Sequence, residues 1–375
     1  MTNQFHILDI MPGARATMEF ADVQPGESVL IATDTLSDPL IVEALMIAAD
    51  ERGGEVTMTV TKPGGLSWRE GVDAPISYRN AVYASDVWIE VLPIEGQHFP
   101  RLQETAMIEH GVRKVCLFDL NMEDLASEWT RFPAPLMQFI ARKVYDQWIG
   151  EATVPNTKFK TIRTVADNGT DLTAVYDPRY TIHNGMISEK LVPGQWCALA
   201  GATIGIELFD DANGTVIFDG LHGEEDYKGL PPLNSDVVYP LTDPVMWHFV
   251  DRACSIEGGM EADAMKRIVA AGGPFATILC EIALGVNPKA PIARHPTRHA
   301  GVTHYAIGST AGRAPTPDKE YAPVHTHGHI NNASLYIDDE PCIENGRLVM
   351  LDDPEVREFA KQFGDPDQLL KEVRF

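Results

Sequence analysis

From residue 27 to residue 120 short apolar runs alternate with amphipathic segments, and few folds accommodate that rhythm. ESVLIATD (27–34) predicts a buried strand, and DPLIVEALMIAADERGG (38–54) a helix that starts at Asp38 and is stopped by glycines. EVTMTV (55–60) is the next expected strand, SYRNAVYAS (77–85) a helix, and DVWIEVLP (86–93) a third strand. After a further helix, RKVCLFDL (113–120) is the fourth. Consecutive βα units favour a doubly wound, mostly parallel open sheet, so an α/β N-terminal domain is expected over residues 1–150. No GxGxxG follows the first strand, which leaves a dinucleotide site unsupported, and PGG at 63–65 reads as a turn.

LMQFIARKVYDQWIG (136–150) predicts a helix that crosses into a second half of different texture. FKTIRTVADNGTDLTAVYDP sets Asn168-Gly169 between two alternating strands, a hairpin signal. ANGTVIFDG (212–220) carries a second Asn-Gly, read as a turn, and SLYIDDEPCIENGRLVML (334–351) a third. With an interspersed helix, MEADAMKRIVAA (260–271), these strands imply an α+β C-terminal domain over residues 151–375. The closing segment, DPEVREFAKQFGDPDQLLKEVRF, reads as surface helix with a solvated charged face.

Charge narrows the partners. A formal net charge of -24 repels phosphate backbones and anionic lipid, so neither nucleic acid nor membrane is an expected partner. The opening residues lack a basic stretch followed by an apolar core, and no apolar run approaches the roughly 20 residues of a membrane span. The five cysteines (Cys116, Cys197, Cys254, Cys280, Cys342) are scattered and form no CxxC, as expected of reduced, buried thiols in a cytoplasmic protein.

The chemistry concentrates between Glu281 and Asp339. His325 and His327 lie two apart on an expected strand, so their imidazoles project from one face as two ligands of one metal must. Glu281 sits in an apolar run, where a carboxylate is costly to bury without a cation. Two imidazoles and a carboxylate suit divalent iron, manganese or zinc. His304, in THYAIG, is a further ligand, an acid/base group beside the site, or a core histidine satisfied by one hydrogen bond, and Glu207, in GIELFDD, is a weaker candidate, either a site residue or a plain exposed strand carboxylate. His329 continues the spacing but is left out of the ligand set. Arg294, His295, Arg298 and His299, between Glu281 and His304, are either a solvated loop or a grip for a substrate carboxylate or phenolate. Asn287-Pro288 is expected to shape a loop, and Asp338-Asp339 a hairpin turn.

Taken together, E-x-x-x-G-x-N-P from Glu281, G-x-T-H-x-A-x-G around His304, H-x-H at His325 and x-Y-x-D-D at Tyr336 resemble the aminopeptidase T family of metallopeptidases. They equally resemble its relatives, the 2,5-dihydroxypyridine 5,6-dioxygenases, and the likeness extends upstream through NGTDL (168–172) and IELFDDANGTV (206–216). The peptidase resemblance implies two metals held at the positions of Glu207, Glu281, His304, His325 and His327, with an aspartate at the last and a tyrosine where Ala311 stands. A carboxylate bridges two metals, whereas a neutral imidazole offers one lone pair, so His327 opposes an intact dinuclear site. The dioxygenase resemblance implies one ferrous iron held by a histidine at Glu281, a histidine at His325 and an aspartate at His327. Here the carboxylate and one imidazole are exchanged, and the two-histidine, one-carboxylate composition is kept. The expectation is therefore a mononuclear non-haem Fe(II) enzyme with Glu281, His325 and His327 on the metal and His304 as acid/base group. Its partners would be dioxygen and a small hydroxylated aromatic or N-heteroaromatic ring, which it opens. A Zn, Mn or Co hydrolase with Glu207 or Glu281 as base is the alternative, and a metal-binding protein without turnover a third. The resemblance also implies a homo-oligomer.

Overall fold

The computed structural model describes residues 5–61, 74–92, 102–103, 105–118, 120–150, 159–183, 197–199, 203–223, 239–308, 322 and 324–373. The turn expected at 63–65 and the position of Ala311 lie outside them. Strands are numbered along the chain. Two compact units are present: residues 1–138 with 184–202, and residues 139–183 with 203–375. Where the sequence suggests a single division near residue 150, these units divide inside the helix Ala134–Ile149 and again where 184–202 returns to the first.

The first unit holds a parallel sheet of β1 (Ser28–Asp34), β2 (Glu55–Thr61), β3 (Val87–Leu92), β4 (Arg113–Phe118) and β8 (Cys197–Ala198), in the order β2-β1-β3-β4-β8. The order reverses at β1, so right-handed crossovers place the helix after β1 and the helix after β2 on opposite faces. The helix Pro39–Glu51 begins where the Asp38 carboxylate accepts from the Leu40 N–H at 2.8 Å, with Pro39 at its first position. It ends at Arg52-Gly53, where Gly53 takes a φ of 81°. On one face of the sheet Leu30, Ala32 and Trp88 pack with Tyr78 and Val82 of the helix Ile76–Tyr83.

Among its described residues the second unit is built on two antiparallel sheets. One has eight strands: β5 (Lys160–Val165), β6 (Asp171–Tyr176), β10 (Phe209–Phe218), β12 (Val245–Val250), β13 (Ala253–Gly258), β17 (Ser334–Ile337), β18 (Glu340–Glu344) and β19 (Arg347–Leu348). The other has six: β7 (Thr181–His183), β9 (Thr203–Ile206), β11 (Gly220–Gly223), β14 (Leu279–Gly285), β15 (Thr303–Gly308) and β16 (His325–Ile330), in the order β11-β16-β15-β14-β9-β7. The expected mixture of parallel α/β units with antiparallel strands and interspersed helix is thus present. The Asn168-Gly169 hairpin joins β5 to β6, and Asp338-Asp339 and Asn345-Gly346 make two-residue turns with positive φ at both positions.

Asn213-Gly214 is not a turn, contrary to the sequence reading. β10 runs through it, because Gly214 at a φ of 131° lies between Leu172 and Phe249 in the register. A Cβ there would stand 2.1 Å from the Asp171 carbonyl oxygen, so close strand approach selects the glycine. The turn lies at Asp251-Arg252, whose Asp251 N–H donates to Asn213 Oδ1 at 3.0 Å. The closing segment forms two short helices, Pro354–Ala360 and Pro366–Leu369, capped by Asp353 and Asp365. Lys289 Nζ, next to the Asn287-Pro288 loop, donates to the carbonyls of Gln368 at 2.6 Å and Lys371 at 2.7 Å, which ties the C-terminal segment down.

One face of the six-stranded sheet turns toward the eight-stranded one. Tyr305 reaches across to donate to Thr164 Oγ1 at 2.7 Å, and Phe218 packs against the backbone of Gly328. Side chains alternate along a strand, so the odd-numbered histidines of β16 and the even-numbered residues of β15 point the other way. The site is on that second face. No helix among the described residues is long and apolar enough to cross a membrane.

Candidate metal centre

Three neighbouring strands supply the side chains. β16 carries His325, His327 and His329 on one face; opposite them in β15 stand Gly308, Ala306 and His304; Glu281 and Ala283 of β14 continue the rows. The positions between the functional groups are thus glycine or alanine, and that leaves space above the sheet. All of Glu281, His304, His325, His327 and His329 are buried.

The carboxylate of Glu281 is shared between two kinds of partner. Its Oε1 accepts from His304 Nε2 at 3.0 Å, while Oε2 faces His325 Nε2 at 3.3 Å and His327 Nε2 at 3.6 Å. Ligand atoms of Glu281, His325 and His327 all lie within 4.8 Å of one another, the convergence a single ion requires. Burial, and secondarily the neighbouring His325, push the His327 imidazole down to about 3 against the opposing pull of Glu281. At neutral pH that ring is therefore uncharged, with a lone pair to offer a cation. The donor set, two imidazoles and one carboxylate in a buried setting, fits a divalent transition metal.

His304 is not part of the converging set. Because a carboxylate oxygen only accepts, His304 Nε2 carries the proton, which leaves Nδ1 as an acceptor. That Nδ1 is buried and has no hydrogen-bond partner among the described residues. His329 lies opposite His304 in the register, with its ring 5.8 Å from that of Tyr239, also outside the converging set. Glu207 is buried one residue past Ile206, the β9 partner of Ile282, and its carboxylate is not one of the three that converge.

The end of the basic segment between β14 and β15 joins the sheet beyond the triad. Gly285 and Asn287 bridge to Ala300 and His299, four to six residues along from Glu281. At about 3.3 Å per residue that is roughly 13 Å or more along the strand. There Arg298 Nη1 donates to His295 Nδ1 at 2.8 Å, and His299 Nδ1 donates to the Ala290 carbonyl at 2.6 Å.

Cys280 is the neighbour that sequence reasoning left among the buried thiols. Cys116, Cys254, Cys280 and Cys342 are indeed free and buried, but Cys280 Sγ also lies 3.5 Å from His325 Nδ1. Strict alternation would turn residue 280 away from Glu281. Between Leu279 and Glu281, however, the register with β15 slips, and no pattern of apolar residues announces such a slip.

No protein-family model matches the chain, and no curated protein matches it by sequence. Solved structures do. A 2,5-dihydroxypyridine dioxygenase from Pseudomonas putida KT2440 superposes with a TM-score of 0.67 at 14% identity, over 94% of this chain and 99% of that one. AmpT from Thermus thermophilus superposes with a TM-score of 0.59 at 14% identity, over 91% and 99%. The chain shares its fold with both. The resemblance to the dihydroxypyridine dioxygenases and the aminopeptidase T family, carried in sequence by short motifs, therefore extends through nearly the whole length.

Proposed function

We propose that the protein is a mononuclear non-haem iron(II) dioxygenase that opens the ring of a small hydroxylated aromatic or N-heteroaromatic compound. The observation that carries this reading is the convergence of Glu281, His325 and His327 with an imidazole, not a carboxylate, at position 327. Two imidazoles and one carboxylate leave open positions on the ion, and His327 cannot bridge to a second one. A ferrous ion held there by Glu281, His325 and His327 would supply a redox-active Lewis acid.

Each residue then has a distinct part. Glu281 offers Oε2 to the ion, while His304 holds Oε1 and fixes the carboxylate plane. The free Nδ1 of His304 takes the phenolic proton, and the Glu281 carboxylate 3.0 Å from the other nitrogen stabilises the imidazolium that results. Ala306, Ala283 and Gly308 make a low floor on which a planar ring can lie, and burial keeps bulk water away. A small aromatic substrate, dioxygen, a homo-oligomeric assembly and a cytoplasmic setting all belong to this proposal.

A hydrolase using Zn, Mn or Co is the second reading. Retention of buried Glu207 and of His304, both implied by the peptidase resemblance, favours it. Oxygen uptake separates the two. Protein loaded anaerobically with ferrous iron should consume dioxygen in step with loss of the ring chromophore of a dihydroxypyridine or related compound. No uptake across such a panel, with turnover of peptides under anaerobic conditions, would replace the proposal with the hydrolase.

A further inference from the structure

The slip in register between β14 and β15 has a target. Leu279 is opposite Ile307 and Glu281 opposite Ala306, so two steps on β14 match one on β15, and Cys280 is the extra residue of a β-bulge. A bulge interrupts alternation and re-aims a side chain, and bulges gather beside functional sites. Here the re-aimed group is the Cys280 thiol, with Sγ 3.5 Å from Nδ1 of His325, while Nε2 of the same ring faces Glu281 Oε2 at 3.3 Å. The two nitrogens of His325 are therefore addressed from opposite ends, one by sulfur and one by the metal triad.

We infer that Cys280 is a positioning residue for His325: its sulfur accepts a hydrogen bond from Nδ1–H and so presents the Nε2 lone pair to the metal. This rests on the triad proposed above. A metal-bound imidazole needs its second nitrogen protonated and pointed at an acceptor, and loss of such an acceptor typically weakens metal binding about 10- to 100-fold. Most often the acceptor is a carboxylate or a backbone carbonyl. In this site it is a thiol sulfur, an acceptor soft enough to leave the imidazole neutral, and the bulge is the device that brings it there. Opposite His325 on β15 stands Gly308, where a φ of 110° and the Val324 carbonyl 2.0 Å from any added Cβ admit only glycine.

The test measures cobalt(II) affinity by competition with a fluorescent chelator, for the full chain and for Cys280→Ala and Cys280→Ser. Alanine should weaken binding about 10-fold or more. Serine, whose hydroxyl also accepts, should restore most of that loss, which a purely packing role would not require. Equal affinity in wild type and Cys280→Ala overturns the inference, as does equal weakening in both variants. An intense near-ultraviolet sulfur-to-cobalt band in the wild type also overturns it, because the thiolate would then be a ligand. Absence of cobalt binding by the wild type would instead sink the metal reading itself, so the two failures are distinct. Should the alanine variant fold poorly, nitrogen-15 histidine spectra of the zinc-loaded wild type decide the matter. They should show His325 protonated at Nδ1 and ligated at Nε2, and the reverse assignment refutes the inference.

Discussion

Acidification of the metal-free protein should expose the tension at His327. In the folded chain burial holds its imidazole down to about 3, against 6.5 for an ordinary histidine. Between those values the unfolded chain binds a proton that the folded chain refuses, so stability falls as the pH falls. The contribution is fully present above about pH 6.5 and is lost progressively toward about pH 3. At 1.36 kcal/mol per unit the whole window is worth about 5 kcal/mol, and the step from pH 7.5 to pH 5 about 2 kcal/mol. Urea denaturation in the presence of a chelator, at a series of pH values, measures it directly. His327→Gln keeps a polar side chain of similar reach but cannot titrate, so its stability should decline less between pH 7.5 and pH 5, by about 2 kcal/mol. Parallel curves for the two proteins would mean that His327 accepts its proton in the folded state as readily as in the unfolded one, and the picture of a desolvated, uncharged ligand would fail. Saturating metal should raise the wild-type curve most at neutral pH and steepen its decline on acidification, since binding requires the same uncharged ring.

Three further outcomes follow from named contacts. His304→Gln keeps a donor for Glu281 Oε1 but removes the base, so metal content should hold while kcat in the oxygen-uptake assay falls about 100-fold or more; unchanged kcat would exclude His304 from proton transfer. Tyr305→Phe deletes the 2.7 Å bond to Thr164 between the two antiparallel sheets and should cost about 1 kcal/mol in urea denaturation without altering metal affinity. Gly214→Ala forces a Cβ against the Asp171 carbonyl at a φ of 131° and should destabilise by about 3 kcal/mol, and a neutral result would show that β10 and β6 are free to separate there.

Local signals carried much of the fold, and what they missed has a common cause. Strands such as 28–34 and 87–92, and the helix Pro39–Glu51 with its Asp38 cap, are declared by residues adjacent in sequence. The His325 and His327 pair was legible for the same reason, since a period of two needs no partner strand to interpret. Asn213-Gly214 misled because its turn chemistry is identical to that of Asn345-Gly346; only the closeness of Asp171 on β6 makes it strand. The return of residues 197–198 to β4, some 80 positions earlier, and the bulge at Cys280 are likewise relations between strands. Neither leaves a mark in the order of apolar residues.

The register also gives a physical reason why a carboxylate and an imidazole could trade places between positions 281 and 327, as the dioxygenase resemblance implies. Glu281 and His327 are both opposite Ala306, one on each side, so they flank a single point on the floor from strands roughly 10 Å apart. A donor from either strand can therefore reach the same point above Ala306. Exchanging carboxylate for imidazole between positions 281 and 327 therefore conserves two nitrogens, one oxygen and a single negative charge around the same point. What changes is the surroundings of the carboxylate. On β14 the carboxylate accepts from His304 at 3.0 Å, while the imidazole at 327, also beside β15, has its ring 5.5 Å from that of His304. In the reading proposed above, the arrangement would couple the charged ligand to His304, whose Nδ1 has no hydrogen-bond partner among the described residues, so that one carboxylate would serve both the ion and the base.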